Sequence, residues 1–184
     1  MGRLKALLPW QGLTLVEYQI DSLHRSGVAD VVLVTGHMGD EVGAVVQKKP
    51  GVNVAYNPDY RQGKTTSIKT GLRHISQSAK AILVVAVDQP RPVGILEAVV
   101  KAHMDGFGLI TCPAYRGHMG HPLIFSSKIL PELMAITEEF EGLRDVTFRY
   151  TSETHIMEID NPIVTVDLNS PEDLLEAHRL FSIL

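Results

Sequence analysis

The stretch Ile82-Leu83-Val84-Val85-Ala86-Val87-Asp88-Gln89-Pro90 decides how this chain is read. Its apolar residues run without a break and stop at an acid, an amide and a proline. A strand with one wet face alternates apolar and polar residues, whereas a continuous run suits a parallel strand buried on both faces. Val31–Thr35 and Ile163–Asp167 have the same character, and Val52–Tyr56 and Leu109–Cys112 read as further strands.

Amphipathic stretches lie between them. Thr14 and Glu17 form a capping box ahead of a helix that stops at Gly27. Gly39–Gln47 and Thr65–Gln77 are the next expected helices, and Pro92 opens another that runs to Met104. Ser170, Pro171 and Asp173 supply an N-cap, a first-turn proline and an acidic third position for a last helix ending near Phe181. Strands alternating with helices imply an α/β fold: a mostly parallel sheet with right-handed crossovers and helices on both faces. No linker, repeat or low-complexity tract interrupts the 184 residues, so a single domain over 1–184 is expected. A chain of this length buries roughly 70% of its unfolded surface and needs no staples.

Composition narrows the function. Seventeen basic against 21 acidic residues leave a formal charge of −4, which argues against a nucleic-acid binder. A few local positive groups can still hold a small anion. The longest apolar run, Ala81–Val87, is far short of the ~20 residues that span a bilayer, so no membrane association is expected. No stretch of signal-peptide length follows Arg3 and Lys5. Cys112 is the only cysteine and cannot form an internal disulfide, which suits a cytoplasmic setting. At a strand end it reads as a small buried hydrophobe.

Ligands of such sheets bind beyond the carboxyl ends of the strands. Those positions are Gly36, His37, Asn57, Asp88, Gln89, Asp167 and Asn169. A carboxylate such as Asp88 suits a hard cation such as Mg²⁺, or it accepts backbone bonds in its turn. Asp167 and Asn169 either share that cation or end a strand and cap the following helix. Gly63-Lys64-Thr65-Thr66-Ser67 opens a helix with three hydroxyls. It suits a phosphate, a ribose or a base edge, or it is a capped surface helix start; it lacks P-loop spacing. Gly117-His118-Met119-Gly120-His121-Pro122 has two histidines but no further ligands for zinc, and suits a ligand-recognising loop. No Ser-His-Asp or Cys-His order stands out.

Taken in order, these elements resemble the MobA-like nucleotidyltransferases. Met1-Gly2-Arg3-Leu4-Lys5 with Leu7-Leu8-Pro9 resembles the end of that family's nucleotide-binding signature, L-A-A-G-x-S-x-R-M-G-x-x-K followed by L-L-P. Asn57-Pro58 with Gly63–Leu72 resembles its N-P…G…S-S-[IL]-x-x-G-L element, and Val87-Asp88-Gln89-Pro90 its metal-binding D-Q-P. Gly120-His121-Pro122 with Phe125 resembles the G-H-P-x-x-F element of the molybdenum cofactor cytidylyltransferase branch. Asp160-Asn161-Pro162 and Asp167–Leu174 resemble the D-D-P…D-I-D-T-P-E-D-L ending.

The resemblance implies a three-layer Rossmann-like fold of the nucleotide-diphospho-sugar transferase type. It implies transfer of CMP or another NMP from an NTP to a phosphorylated acceptor, molybdopterin or the molybdenum cofactor, with release of pyrophosphate. Lys5 and Asp88 would be catalytic. Gly2, Arg3, Lys5, Thr65, Thr66 and Ser67 would hold the nucleotide, with CTP favoured. Asp88, Asp167 and Asn169 would hold Mg²⁺, and Gln89, Pro90, Gly120, His121 and Pro122 would face the acceptor. A molybdoenzyme or its maturation factor is the implied protein partner. No covalent protein intermediate is needed.

Three departures from the family pattern stand out. The first strand and most of the Gly-rich loop are missing, so the sheet is expected to carry a gap or an exposed edge. Thr66-Ser67 replaces the serine pair. Asn169-Ser170-Pro171 replaces D-T-P, which weakens the charge offered to a cation. Two further readings are therefore carried: the same transfer onto a sugar or polyol phosphate, and a non-catalytic domain that handles the cofactor during maturation.

Overall fold

The computed structural model describes residues 4–182; Gly2 and Arg3 of the expected nucleotide site lie outside them. The chain opens with a short hairpin, β1 (Pro9–Trp10) and β2 (Leu13–Thr14), and helix α1 (Leu15–Arg25). A β–α–β unit follows: β3 (Val31–Thr35), α2 (Gly39–Val46) and β4 (Val52–Tyr56). Next come α3 (Lys64–Leu72), β5 (Ala81–Val84), α4 (Val93–Met104), β6 (Ile110–Tyr115), β7 (His118–Met119) and β8 (Leu123–Ser126). The chain ends with α5 (Leu130–Ala135), α6 (Leu143–Arg149), β9 (Thr154–Glu158) and α7 (Pro171–Phe181).

β3 and β4 pair in parallel. The larger sheet runs β5-β8-β6-β7, with β9 parallel to β6 and β8 antiparallel to both its neighbours. The parallel character expected from the sequence thus holds for β3–β4 and β6–β9, with an antiparallel strand set between β5 and β6. Among the described residues no ladder joins the β3–β4 pair to the larger sheet.

Helices cover both faces of the larger sheet, and strand alternation distributes the apolar residues between them. Ile82, Leu123 and Phe125 face a core shared with Leu72 of α3, Leu133 of α5 and Val146 of α6. Leu83 and Ile124 face the opposite core, with Ile95 and Val99 of α4 and Leu180 of α7. This two-sided burial is the reason the run at Ile82 is continuous. Cys112 sits fully buried in the first core, as expected, and burial pushes its thiol up to about 11.

Both capping boxes form. Thr14 Oγ1 accepts from Glu17 N while Glu17 accepts from Thr14 N, and Ser170 and Asp173 do the same for α7.

Two expectations are corrected. Ile163–Asp167 is not a strand: Pro162–Thr165 forms a 3₁₀ turn started by Asn161 Oδ1, which accepts from Ile163 N. Ile163 and Val164 are fully buried in it, and a short buried apolar run does not distinguish a strand from such a turn. The strand of β5 also ends at Val84 rather than Val87. Gln89 Oε1 takes Ala86 N at 3.0 Å and Gln19 Nε2 gives to Ala86 O at 3.0 Å, so side-chain amides replace the ladder there. The strand β9 was not expected, because Thr154-His155-Ile156-Met157-Glu158 is too polar to stand out as a buried run.

Two stability predictions follow from this packing. Ser170→Ala removes the cap of α7 and should cost about 1 kcal/mol in urea unfolding. His103 is buried with Nδ1 3.0 Å from Thr111 Oγ1, and burial lowers its pKa below the ordinary 6.5. The fold holds it neutral, so the unfolded chain binds the extra proton first as pH falls. Its contribution is complete above pH 6.5 and is lost as pH drops through the folded value; His103→Gln should flatten that part of the stability–pH curve.

Candidate active site

One polar constellation gathers beyond the carboxyl end of β5. Lys5, in the turn Lys5–Leu7, gives Nζ to Asp88 Oδ2 at 2.8 Å and to Asn169 Oδ1 at 2.9 Å. Asp88 lies in the turn beyond β5 and Asn169 just ahead of α7, so three distant parts of the chain meet at one ammonium. The side chains of Lys5 and Asp88 are 33% and 25% exposed. An ion pair that wet contributes about 0.2–1 kcal/mol, too little to explain its presence as structural glue. The backbone fixes the arrangement independently: Leu168 N gives to Asp88 O at 2.8 Å, and Asp173 Oδ2 accepts from Asn169 N at 3.0 Å.

Asp167 stands beside them. Its Oδ1 is buried and lacks a hydrogen-bond partner among the described residues, with Arg91 Nη2 3.9 Å away. Asp167 and Asn169 border an open cleft of about 440 Å³ whose rim also carries Asp173 and Glu176. The donor set of Asp88, Asn169 and Asp167 is all oxygen, and two of the three already share a positive charge. That chemistry fits a hard cation such as Mg²⁺, which takes one or two carboxylates and completes its shell with water and phosphate.

The hydroxyl element forms a second wall. Asn57 is buried, and its Nδ2 gives to Thr66 Oγ1 at 2.9 Å and Ser67 Oγ at 3.0 Å. Thr66 Oγ1 in turn gives to Gly63 O at 2.8 Å. Gly63 has φ +121, a conformation that favours glycine and turns the chain into α3. Thr65 is placed differently from its neighbours: its side chain is buried beside Gly142, and its N gives to Glu138 Oε1 at 2.6 Å. The carboxylate of Glu138 therefore sits at the helix start where a phosphate is expected.

The third wall is the loop between β7 and β8. Gly120 is packed against the backbone of Val164, where a Cβ has no room. His121 N gives to Val164 O at 2.8 Å. Burial lowers the His121 pKa; nearby Asp167 opposes that shift, and Arg91 and Lys64 reinforce it, so the imidazole is neutral at pH 7. Gln89 and Pro90 are buried rather than presented to the cleft, and the Gln89 side chain closes the turn on Ala86.

The structure thus joins Lys5, Asp88 and Asn169 directly, with Asp167 two residues before Asn169, and organises the hydroxyl element and the His121 loop separately. Sequence reading missed Arg91, Gln19 and Glu138. Arg91 was legible in one respect, as a charge set between two prolines directly after a strand-end turn. Gln19 and Glu138 act over 70 and 73 residues, and no local pattern marks them.

Comparison with known proteins supplies the family. Along the whole chain it is 24% identical to the molybdenum cofactor cytidylyltransferase of Escherichia coli, over 182 residues that cover 99% of this chain and 91% of that protein. Its fold matches Rv0371c of Mycobacterium tuberculosis with TM-score 0.81 at 21% identity, covering 96% and 89% of the two chains; that protein has also been solved with manganese. It matches the nucleotidyl transferase Mth528 of Methanothermobacter thermautotroptrophicus with TM-score 0.80 at 23% identity, covering 98% and 86%. The family model of the MobA-like NTP transferase domain matches residues 1–154. The chain therefore belongs to the MobA-like NTP transferase family.

Proposed function

We propose that this nucleotidyltransferase moves CMP from CTP to the phosphate of a molybdopterin-type acceptor. The observation that carries the reading is the Lys5–Asp88–Asn169 constellation: one cation and two oxygen ligands gathered at the strand ends, where no packing need explains them. The full-length similarity to a cytidylyltransferase supports the base and the acceptor.

The transfer needs two anions brought together. The acceptor phosphate oxygen attacks the α-phosphorus, forming a new P–O bond. The bond from that phosphorus to the bridging oxygen breaks, and pyrophosphate leaves with its electron pair. Lys5 Nζ is positioned to meet the triphosphate once it turns from Asp88. The Ser67 hydroxyl, which accepts from Asn57, has its own proton free to give to the nucleotide. The neutral His121 and its loop face the acceptor.

Asp88, Asn169 and Asp167 would hold Mg²⁺, which when bound neutralises charge developing on the phosphates. The cleft beside Asn169 is rimmed by carboxylates, so a phosphate approaching from that side needs a cation to be tolerated. The manganese-bound mycobacterial neighbour offers a precedent for a divalent ion on this fold. No described helix is long and apolar enough to cross a membrane.

A second reading, cofactor handling without turnover, is favoured by Asn169, which offers an amide where a carboxylate would bind a cation more strongly. One experiment separates the two. The protein is incubated with Mg²⁺, each NTP in turn, and molybdopterin or a sugar or polyol phosphate, and pyrophosphate is measured. The proposal expects release with CTP and molybdopterin, reduced about 10²-fold in Asp88→Asn by loss of charge stabilisation. Molybdopterin binding without release from any NTP would establish the second reading, release only with a sugar or polyol phosphate would reassign the acceptor, and full activity in Asp88→Asn would remove the metal role.

A further inference from the structure

We propose that Arg91 is a positioning residue for the acceptor side of this site, locking the His121 loop and the Asp167 turn to the Asp88 turn as one unit. The inference rests on the nucleotidyltransferase reading for its catalytic consequence and on the geometry below for the locking itself.

The Arg91 side chain is completely buried. It forms no close ion pair; its nearest carboxylate is Asp167, 3.9 Å away. Its donors go instead to four backbone carbonyls. Nε gives to His121 O at 3.0 Å, Nη1 to Pro90 O at 2.9 Å and to Val166 O at 2.8 Å, and Nη2 to Val164 O at 2.9 Å. Three of the four acceptors belong to, or lie one or two residues from, a residue of the site: His121 itself, Pro90 two after Asp88, and Val166 just before Asp167; Val164, the fourth, also accepts from His121 N. Two backbone bonds, His121 N to Val164 O and Leu168 N to Asp88 O, run alongside.

A buried guanidinium is an expensive way to stabilise a fold, since well-packed apolar residues usually do so at least as well. What it supplies is a rigid planar fork with five donors, which can hold diverging carbonyls at fixed relative positions. Burial lowers its pKa to about 10 while Asp167 and Asp88 oppose the shift, so it stays charged at neutral pH. Lysine would keep the charge but has a single nitrogen and cannot span these carbonyls. Charge and fork can therefore be separated by substitution.

The test compares wild type, Arg91→Lys and Arg91→Met by amide hydrogen exchange and by steady-state pyrophosphate release. In both variants segments 117–122 and 162–168 should exchange faster together, while α1 and the β3–β4 pair keep wild-type rates. In Arg91→Lys the acceptor KM should rise and kcat/KM for the acceptor should fall by about 10²-fold, the scale of an ångström-sized misplacement. The KM for CTP should rise less than that for the acceptor, because Lys5 and α3 are not held by Arg91. Wild-type exchange and kinetics in Arg91→Lys would overturn the proposal. So would a uniform rise in exchange with activity falling only in step with the folded fraction, which is the signature of a merely structural residue. If wild type releases no pyrophosphate, the catalytic reading has failed, and coupled exchange of the two segments still decides the locking.

Discussion

Where strands leave a sheet buried on both faces, their backbone groups lose the ladder before they reach water. Each buried N–H and C=O must then find another partner, in the backbone, a side chain or water. In this protein two residues meet most of that need at the strand ends. Gln19 of α1 serves Ala86 O and Gln89 O, and Arg91 serves Pro90, His121, Val164 and Val166. The positions of Asp88, His121 and Asp167 are consequences of that satisfaction. The catalytic end of the sheet is thus shaped by hydrogen-bond accounting as much as by apolar packing.

The electrostatics of the site follow from the same economy. A protein with net charge −4 binds anionic substrates through a local arrangement, not through a basic face. Lys5 is held by two oxygens at the surface of the cleft, and Arg91 lends its charge from below without reaching it. The remaining rim is acidic at Asp167, Asp173 and Glu176. Under the proposed function such a cleft would disfavour a bare polyphosphate on the Asn169 side and accept one accompanied by a divalent ion, which the oxygen ligands would match. Glu138 shows the same logic at the start of α3, where its carboxylate occupies an amide that an anionic ligand would otherwise take.

Much of this was legible in the sequence, for identifiable reasons. The run at Ile82 announces its two-faced burial because both faces of its strand are covered. The capping boxes at Thr14 and Ser170 are local and were read correctly. Asp88 was legible as the acid beyond a buried strand and Lys5 through resemblance to a family signature; Asn169 was singled out as following a strand that is in fact a 3₁₀ turn. The failures share a different cause. Ile163–Val166 has strand composition, but its backbone is claimed by Arg91 and His121, which lie far away in the chain. β9 pairs through its backbone while carrying polar side chains, so periodicity does not see it. Gln19, Arg91 and Glu138 act through contacts that only the folded arrangement creates.

Under the proposed function Lys5, Asp88 and Asn169 form a joint cation and nucleotide site. The most direct measurement is paramagnetic broadening by Mn²⁺ in the NMR spectrum of the labelled protein, read at the Asn169 side-chain amide with and without CTP. The account predicts broadening at Asn169 and around Asp88 that sharpens in affinity when CTP is added. Broadening centred instead on the His118–His121 loop, or none at Asn169 in the presence of CTP, would contradict it.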